Sequence, residues 1–224
     1  MIDRIFIPTV HRPTTQITYS QLPADLQARV TFVVQAWERP QYHYDADYLV
    51  LPDDYHFQQP YCLPRTRHYI YTQAQTMKYC ILDDDLQFFR RNAKYHGAPS
   101  NMAKSKRLAT ADDMHEMFDL FDRWLDEPDM AVCGVGQMSN PPGGEQYRDN
   151  RPVCGSFWLN GPTFQSLLST LDPTAVRVNE DDYFILMLLT HGYRTRITEE
   201  FVFDNGSLRK ELGSTIWTLP EEVI

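Results

Sequence analysis

Short apolar runs of strand length are the feature of this sequence that most constrains its fold. Three of them lie early in the chain, at 4–9 (RIFIPT), 30–35 (VTFVVQ) and 48–54 (YLVLPDD), and a fourth, at 79–82 (YCIL), leads directly into three aspartates. Short continuous apolar runs are typical of strands that are covered on both faces, as in parallel sheets. Segments of helical character separate them. The pattern therefore predicts an α/β fold with a mostly parallel central sheet flanked by helices.

The segments between and after these runs carry helix start and stop signals. Residues 63–78 are predicted to form a helix with Pro64 in its first turn, where a missing N–H costs nothing. Residues 110–129 are predicted to form an amphipathic helix with Thr110 as its N-cap and two acids in its first turn. A further helix is predicted over 179–193, which begins with three acids and ends near a glycine.

Length and charge set the outer limits on function. The 224 residues suit one α/β domain with a substantial core. A formal net charge of −9 argues against broad binding to nucleic acid or anionic membranes, although basic residues between 65 and 107 leave room for a local basic groove. No apolar stretch approaches the roughly 20 residues needed to span a bilayer, and the N-terminus lacks a signal-peptide pattern. We therefore expect a soluble cytoplasmic protein without a membrane anchor.

The three aspartates after the fourth run are the strongest chemical signal. In parallel α/β sheets, ligands bind beyond the carboxyl ends of the strands, which is where Asp83, Asp84 and Asp85 fall. Side-chain alternation predicts Asp83 and Asp85 on one side and Asp84 on the other, so Asp84 is expected to matter least. Two carboxylates without histidine or cysteine suit Mg²⁺ or Mn²⁺, which bind one or two carboxylates together with substrate phosphates. The alternative is an acidic turn or the cap of a helix formed by DLQFFRR.

Beyond the aspartates, the order of three motifs along the chain is informative. PTVHR follows the first apolar run, LPRTRHYIYTQAQTMKYCILDDD joins an arginine-bearing segment to the aspartates, and NEDDYF opens the last predicted helix. In this order the chain resembles the nucleotide-sugar-dependent glycosyltransferases of GT-A fold, especially the inverting family-two type, from residue 4 to about residue 204. The resemblance implies a single GT-A-like domain over 1–224. Its parts would be a nucleotide-binding half at 1–89, an acceptor- and sugar-binding half at 90–207 and a tail at 208–224.

The resemblance also implies a donor site. In such enzymes the turn after the first strand lies over the nucleotide, an arginine precedes the aspartate motif, and that motif holds the metal. Arg65 and Arg67 are the candidates for the arginine, with a solvated helix face as their alternative role. Asp83 and Asp84 are alternative partners of a ribose hydroxyl, and Trp37 is either a platform for the base or a packing residue. The donor-binding candidates are Pro8, Thr9, Arg12, Trp37, Arg65, Arg67, Asp83 and Asp84, and the ligands for Mn²⁺ or Mg²⁺ are Asp83 and Asp85.

A Glu-Asp motif supplies the catalytic carboxylate in this resemblance. Inversion requires a base on the sugar face opposite the leaving diphosphate, and the resemblance points to Asp181. Because Glu180, Asp181 and Asp182 form two overlapping acidic pairs, Asp182 remains a rival. The same acids would also complement the dipole at a helix start. Gly155 and Trp158 are candidates for the sugar or acceptor pocket, since the glycine allows close approach and the indole offers a stacking surface.

The expected function is transfer of a sugar, with inversion, from a nucleotide diphosphate-sugar, with a UDP-sugar as the expected donor, to a hydroxyl acceptor. A hydroxylated base in DNA, as in bacteriophage DNA modification, is one candidate acceptor because of the basic segment 90–107. Small molecules, glycans and protein side chains are the others. A nucleotidyltransferase is the alternative enzyme, but it would need a glycine-rich phosphate loop, and PTVHRPTTQ contains no glycine. A catalytically inactive binding module is the remaining alternative.

Overall fold

The computed structural model describes residues 1–56, 61–91, 106–138, 146–176 and 179–205. The strands in these ranges form one sheet. Its strands are β1 (Arg4–Pro8), β2 (Val30–Val34), β3 (Asp47–Val50), β4 (Lys78–Leu82), β5 (Gln87–Arg91), β6 (Lys106–Leu108), β7 (Met130–Gln137), β8 (Tyr147–Asp149), β9 (Ser156–Asn160) and β10 (Arg194–Asp204). The helices are α1 (Ile17–Gln21), α2 (Ala24–Gln27), α3 (Cys62–Gln73), α4 (Ala111–Trp124), α5 (Gly161–Phe164) and α6 (Glu180–Thr190). Three short 3-10 helices lie at Arg39–Gln41, Asp53–Tyr55 and Gln165–Thr170.

The strands follow the order β3-β2-β1-β4-β9-β7-β10-β5-β6, and β8 also pairs with β10. The strands β3, β2, β1 and β4, which the apolar runs predicted, are parallel to one another. Beyond β4 the sheet is mixed, because β9 lies antiparallel between β4 and β7 while β7 and β10 run parallel. The α/β class with a central sheet flanked by helices is therefore confirmed, and the parallel arrangement holds in its first half.

The segment after the aspartates forms strand β5 rather than the alternative helix. It pairs antiparallel with β10 and with β6. Leu86 and Phe88 are fully buried in the core that lies under α4. The alternation of buried and exposed positions that this pairing needs is already present in LQFFRR, and it outweighs the helical tendency of an acidic start.

Two apolar layers cover the sheet, one on each face. The layer that includes α4 contains Met114, Met117 and Phe121, and the layer that includes α3 and α6 contains Ile70 and Phe184. Both layers are built from side chains that are almost wholly removed from water. This burial on both faces explains why the strands are continuously apolar in sequence. Among the described residues, no helix is long and apolar enough to cross a bilayer.

Strand β4 divides its side chains between these layers. Tyr79 and Ile81 belong to the layer with α3 and α6, while Cys80 and Leu82 belong to the layer with α4. The alternation continues past the end of the strand. As a result, the first aspartate emerges on the side of α3 and α6 and the second on the opposite side.

The predicted start of α4 is confirmed in detail. Thr110 accepts a hydrogen bond from the backbone N–H of Asp113, and the Asp113 carboxylate accepts one from the backbone N–H of Thr110, which together form a capping box. The same carboxylate, almost fully buried, binds Arg107 and also Arg90, at 2.9 Å. These hydrogen bonds, with that from Arg107 the strongest, hold the pKa of Asp113 well below its usual range. Asp113 thereby joins α4 to β5 and β6.

Candidate active site

The candidate site lies where the carboxyl ends of β1, β2 and β4 meet the start of α6. In this half of the sheet the strands are parallel, so the loops that follow them converge at one edge. Pro8 is the last residue of β1, and the backbone N–H of Thr9 donates to Val33 of β2. The aspartates follow β4 directly. The position that the sequence predicted for a ligand site is therefore the place where these loops come together.

Arg67 lies at the centre of an ion-pair cluster that joins β4 to α6. Its Nη2 donates to Asp83 Oδ1 at 3.0 Å, its Nη1 lies 2.9 Å from Glu180 Oε1, and it also contacts the Asp181 carboxylate. Only 4% of the Arg67 side chain is exposed. Gly155 completes the cluster, because its backbone N–H donates to Asp181 Oδ2 at 3.3 Å. Carboxylates from two motifs nearly 100 positions apart are thus held within one small volume.

The electrostatics of this cluster are those of closely packed like charges around one cation. Burial raises the pKa of Asp83, and the neighbouring Asp85 and Glu180 raise it further, while Arg67 opposes the shift. Burial alone would lower the pKa of Arg67, but Asp83 and Glu180 raise it. Three carboxylates therefore share one guanidinium, and a further cation beside Asp83 would relieve the repulsion that raises its pKa.

Asp84 faces the other side of β4 and contacts the loop after β1. Its Oδ2 accepts a hydrogen bond from Thr9 Oγ1 at 2.6 Å, and its Oδ1 binds Arg12. Burial raises the pKa of Asp84 to about 7, while Arg12 and Thr9 act against the shift. Asp84 was expected to contribute least of the three aspartates, yet its side chain joins the aspartate motif to the loop after β1.

The carboxylates of Asp83 and Asp85 have the donor chemistry of a divalent-cation site. Among the described residues, no group of three or more His, Cys, Asp or Glu is arranged to hold a metal by itself. However, Gly155 has a φ of +66°, and a Cβ at this position would lie 3.2 Å from Asp83 Oδ2. The same Cβ would lie 3.3 Å from the Phe203 ring, so Asp83 and Phe203 pack against this glycine more closely than a side chain would readily allow. Asp83 and Asp85 supply the hard oxygen ligands that Mg²⁺ and Mn²⁺ prefer, with the remaining positions left to phosphate and water.

Several predicted residues lie around this centre in different settings. The Trp37 ring is 44% exposed, and its centroid lies 5.4 Å from that of His11 and 6.4 Å from that of His56, the latter in a stacked arrangement. Arg65 binds Asp54 and lies over the ring of Tyr55.

The two remaining candidates with clear positions are Trp158 and Asp182. Trp158 is fully buried and packs against Phe118 and Phe121 in the core layer that includes α4. The expectation of a stacking platform at Trp158 is therefore wrong: its position in the central strand β9 places the ring in the core. Asp182 is exposed on α6, whereas Asp181 is directed into the cluster.

The described basic residues between 65 and 107 are mainly paired with acids. Five of them make ion pairs with acids in the described part of the chain: Arg65, Arg67, Lys78, Arg90 and Arg107. Most of the segment 90–107 and the tail at 208–224 lie outside the described residues. The described cations therefore have mainly internal partners.

Three residues of the site were not found from the sequence. Gln16 donates to Thr9 Oγ1 at 2.8 Å and to the backbone carbonyl of Arg12 at 2.8 Å, and the Tyr42 hydroxyl lies 3.3 Å from Thr9 Oγ1. Glu38 is 1% exposed and accepts a hydrogen bond from the backbone N–H of His11. All three lie in loops or short turns, where no periodic pattern marks a residue as buried.

Comparison with known proteins gives weak similarity to solved structures only. No family model and no curated protein matches the chain. Among solved structures, it is similar to a UTP-bound UGPase from Acinetobacter baumannii, with 11% identity, a TM-score of 0.48 and coverage of 88% of this chain and 86% of that one. A UDP-glucose pyrophosphorylase from the same organism gives 11% identity and a TM-score of 0.43 over the same shares of the two chains.

An apo UDP-glucose pyrophosphorylase gives 10% identity and a TM-score of 0.42 over 91% of this chain and 92% of that one. At this sequence identity and with TM-scores below 0.5, the similarity does not carry a substrate or a reaction over to this chain.

Proposed function

We propose that the protein is a metal-dependent transferase that acts on a nucleotide diphosphate-sugar and moves the sugar to a hydroxyl acceptor with inversion. One observation carries the proposal. The acids that follow β4 and those that begin α6 meet around the buried Arg67, at the edge of the sheet where ligands bind. Each acidic motif alone has an ordinary structural explanation, but their convergence on one buried arginine does not.

The roles of the residues follow from their positions. Asp83 and Asp85 would hold Mn²⁺ or Mg²⁺, which when bound would neutralise the diphosphate as a Lewis acid. Arg12, whose guanidinium lies 3.5 Å from Asp85, would contact the phosphate oxygens. Trp37, partly exposed at the carboxyl end of β2, would stack on the base.

Asp181 would act as the base. It would accept the proton of the acceptor hydroxyl while the acceptor oxygen forms a bond to the anomeric carbon and the bond from that carbon to the diphosphate oxygen breaks. The Gly155 N–H and Arg67 would hold the Asp181 carboxylate in one orientation during this step. Glu180 shares Arg67 with it and would contribute to the same orientation.

A nucleotidyltransferase is the second candidate, because a metal-held diphosphate also serves that reaction. Its bond changes differ: pyrophosphate would attack the α-phosphorus, and the bond between the two phosphates of the nucleotide-sugar would break. The loop after β1 differs from a glycine-rich phosphate loop, because it contains no glycine and the side chains of Thr9 and Arg12 both bind Asp84.

The products distinguish the two reactions. The protein would be incubated with Mg²⁺ and a panel of nucleotide diphosphate-sugars, with and without pyrophosphate, and the phosphorus species followed by ³¹P NMR. Transfer of the sugar to an acceptor, or more slowly to water, releases the nucleoside diphosphate. Nucleotidyl transfer yields a nucleoside triphosphate and a sugar phosphate, and only when pyrophosphate is present. Formation of the triphosphate would replace the first proposal by the second, and no reaction and no binding of any donor would reject both.

Variants assign the roles. Asp85→Ala should abolish metal-dependent binding of the nucleoside diphosphate, measured by calorimetry. Asp181→Ala should retain donor binding and lose transfer, whereas Asp182→Ala should retain both. Loss of transfer in Asp182→Ala alone would reassign the base to that residue.

A DNA acceptor is the narrower form of the proposal, and the charge distribution gives it little support. The cations of the described part of 65–107 are paired internally, so a broad phosphate-binding face does not result. A gel shift with duplex DNA at low and at raised salt tests it. No shift at low ionic strength would exclude DNA and leave small hydroxyl acceptors.

A further inference from the structure

Asp84, the middle aspartate of the motif, binds Thr9 and Arg12 of the loop after β1 and is not one of the proposed metal ligands. Asp84 is 9% exposed and is held by Thr9 through the 2.6 Å hydrogen bond to its Oδ2. Its backbone carbonyl accepts hydrogen bonds from the N–H groups of Ile17 and Thr18, at 3.2 and 3.3 Å. Main chain and side chain of Asp84 thus both bind the segment from β1 to α1, which fixes the position of its carboxylate.

Arg12 is the charged partner of this carboxylate, and it is also close to Asp85. Its Nη1 binds Asp84 Oδ1 and lies 3.5 Å from Asp85 Oδ2, and 14% of its side chain is exposed. Gln16 fixes the main chain at Arg12 through the 2.8 Å hydrogen bond to the Arg12 carbonyl. Within the described part of the chain, both carboxylate contacts of Arg12 use Nη1. Its Nη2 therefore remains for another anion.

The two aspartates compete for one guanidinium. The closer contact is to Asp84, and the longer one is to Asp85, which the proposed function assigns to the metal. A guanidinium fully paired with Asp85 would occupy a metal ligand and place a positive charge beside the cation, which opposes metal binding. The neutral hydrogen bond from Gln16 to the Arg12 carbonyl would not prevent full pairing of Arg12 with Asp85, since Arg12 Nη1 already lies 3.5 Å from Asp85 Oδ2.

We propose that Asp84 is a positioning residue that draws Arg12 toward its own carboxylate and so weakens the contact between Arg12 and Asp85, which leaves Asp85 open to the cation and Arg12 to the diphosphate. This inference rests on the proposed function, because it takes Asp85 as a metal ligand. It assigns Asp84 a role through Arg12 and none as a direct ligand. It also explains why the loop after β1 is anchored to the aspartate motif by both main chain and side chain.

The test is a double-mutant cycle with Mn²⁺ and nucleoside diphosphates as probes. Binding of Mn²⁺ alone would be measured by electron paramagnetic resonance, and binding of UDP, GDP, ADP and CDP in saturating Mn²⁺ by calorimetry. Asp84→Asn keeps an acceptor for Thr9 but removes the charge that holds Arg12, so Mn²⁺ affinity should fall about tenfold or more. Arg12→Gln should leave Mn²⁺ affinity unchanged or higher and weaken the nucleotide. The double variant should regain the Mn²⁺ affinity of Arg12→Gln.

A residue with a merely structural role would give a different result. Its loss would not be reversed by removing Arg12, so the double variant would bind Mn²⁺ as weakly as Asp84→Asn or more weakly. Asp45→Asn, which neutralises an exposed acid in the same half of the chain, is the matched control and should bind as the wild type does. Thermal unfolding in EDTA would confirm that each variant is folded.

The outcomes separate this inference from the proposed function. A wild type that binds no nucleoside diphosphate with Mn²⁺ rejects the proposed function and this inference with it. The inference alone is overturned if the wild type binds nucleoside diphosphate with Mn²⁺ but Asp84→Asn leaves Mn²⁺ affinity unchanged. It is also overturned if Arg12→Gln does not restore the Mn²⁺ affinity that Asp84→Asn loses. If Asp84→Asn does not fold, Thr9→Val removes one of the two side-chain contacts that hold Asp84. It should weaken Mn²⁺ binding in the same direction and be rescued by Arg12→Gln; no rescue would overturn the inference.

Discussion

Replacing Arg67 by methionine tests whether the acids of the site depend on one buried cation. Methionine has a similar length and no charge, so the change removes the ion pairs while keeping much of the packing. Arg67 contacts three carboxylates, from Asp83, Glu180 and Asp181, and is almost completely buried. Its loss leaves these carboxylates close together with no cation between them.

The expected cost follows from charge and burial. Two unit charges about 4 Å apart attract by roughly 4 kcal/mol at an effective dielectric constant of about 20, and several such pairs surround Arg67. Desolvation of the guanidinium offsets part of this attraction in the wild type. Removal of one partner of a buried ion pair typically lowers the free energy of unfolding by ~3–5 kcal/mol, and we expect a loss in this range.

The assay is urea unfolding followed by tryptophan fluorescence, in EDTA and in Mn²⁺. Without Arg67 the acids form a stronger cation site, so Mn²⁺ should restore part of the lost stability and stabilise the variant more than the wild type. Arg65→Met is the matched control from the same helix, since Arg65 pairs with the largely exposed Asp54 and should cost less than about 1 kcal/mol. A loss below about 1 kcal/mol in Arg67→Met, with no response to Mn²⁺, would refute the reasoning.

Three further predictions concern the fold and the space beside Asp83. Because the folded-state pKa of Asp113 is depressed, its stabilisation is present above the unfolded pKa near 4 and is lost as pH falls. Asp113→Asn should therefore lower the free energy of unfolding by ~2–3 kcal/mol at pH 7 and by little at pH 2, and the exposed Asp112→Asn should have no such effect in urea titrations at both pH values. Trp158→Ala should cost ~3–5 kcal/mol in the same assay, whereas a cost below about 1 kcal/mol would contradict its core position. Gly155→Ala should cost ~1–2 kcal/mol through its positive φ and also weaken Mn²⁺ binding, while Gly192→Ala, at φ +88° with open space around it, should show only the stability cost. Equal Mn²⁺ affinities in both glycine variants would show that the close approach of Gly155 to Asp83 does not contribute to Mn²⁺ binding.

Much of the first half of the fold could be predicted because its strands are buried on both faces and read as continuous apolar runs. The start of α4 could likewise be predicted, since Thr110 is an N-cap residue followed by two acids in the first turn; the structure adds that Thr110 and Asp113 form a capping box. The order of the later strands could not be predicted in this way. The apolar character of β9 is the same whether it lies at the edge or between β4 and β7, and only packing in three dimensions decides its place.

The limits of sequence reasoning at the site have a similar cause. Alternation along β4 placed Asp83 and Asp84 on opposite sides, and the structure agrees; Asp85, expected on the side of Asp83, instead lies 3.5 Å from the Arg12 Nη1 that also binds Asp84, because the chain turns after β4. Alternation does not reveal that Arg12 from a separate loop binds Asp84, because that contact depends on the path of the loop. The indole of Trp158 shows the opposite problem: an aromatic residue in an apolar strand suits a stacking surface or a core equally well, and only burial distinguishes them.

The place of β9 in the sheet has a consequence for how the chain folds during synthesis. Strands β4 and β7 are made well before β9, yet each needs β9 as a neighbour, so their apolar edges stay open until about 160 residues have left the ribosome. Unpaired apolar edges are templates for pairing with other chains. Nascent chains shorter than this should therefore depend on chaperones, and truncation before β9 should give aggregates rather than a smaller folded unit. The site forms later still, because α6, which supplies its second acidic motif, emerges after β9.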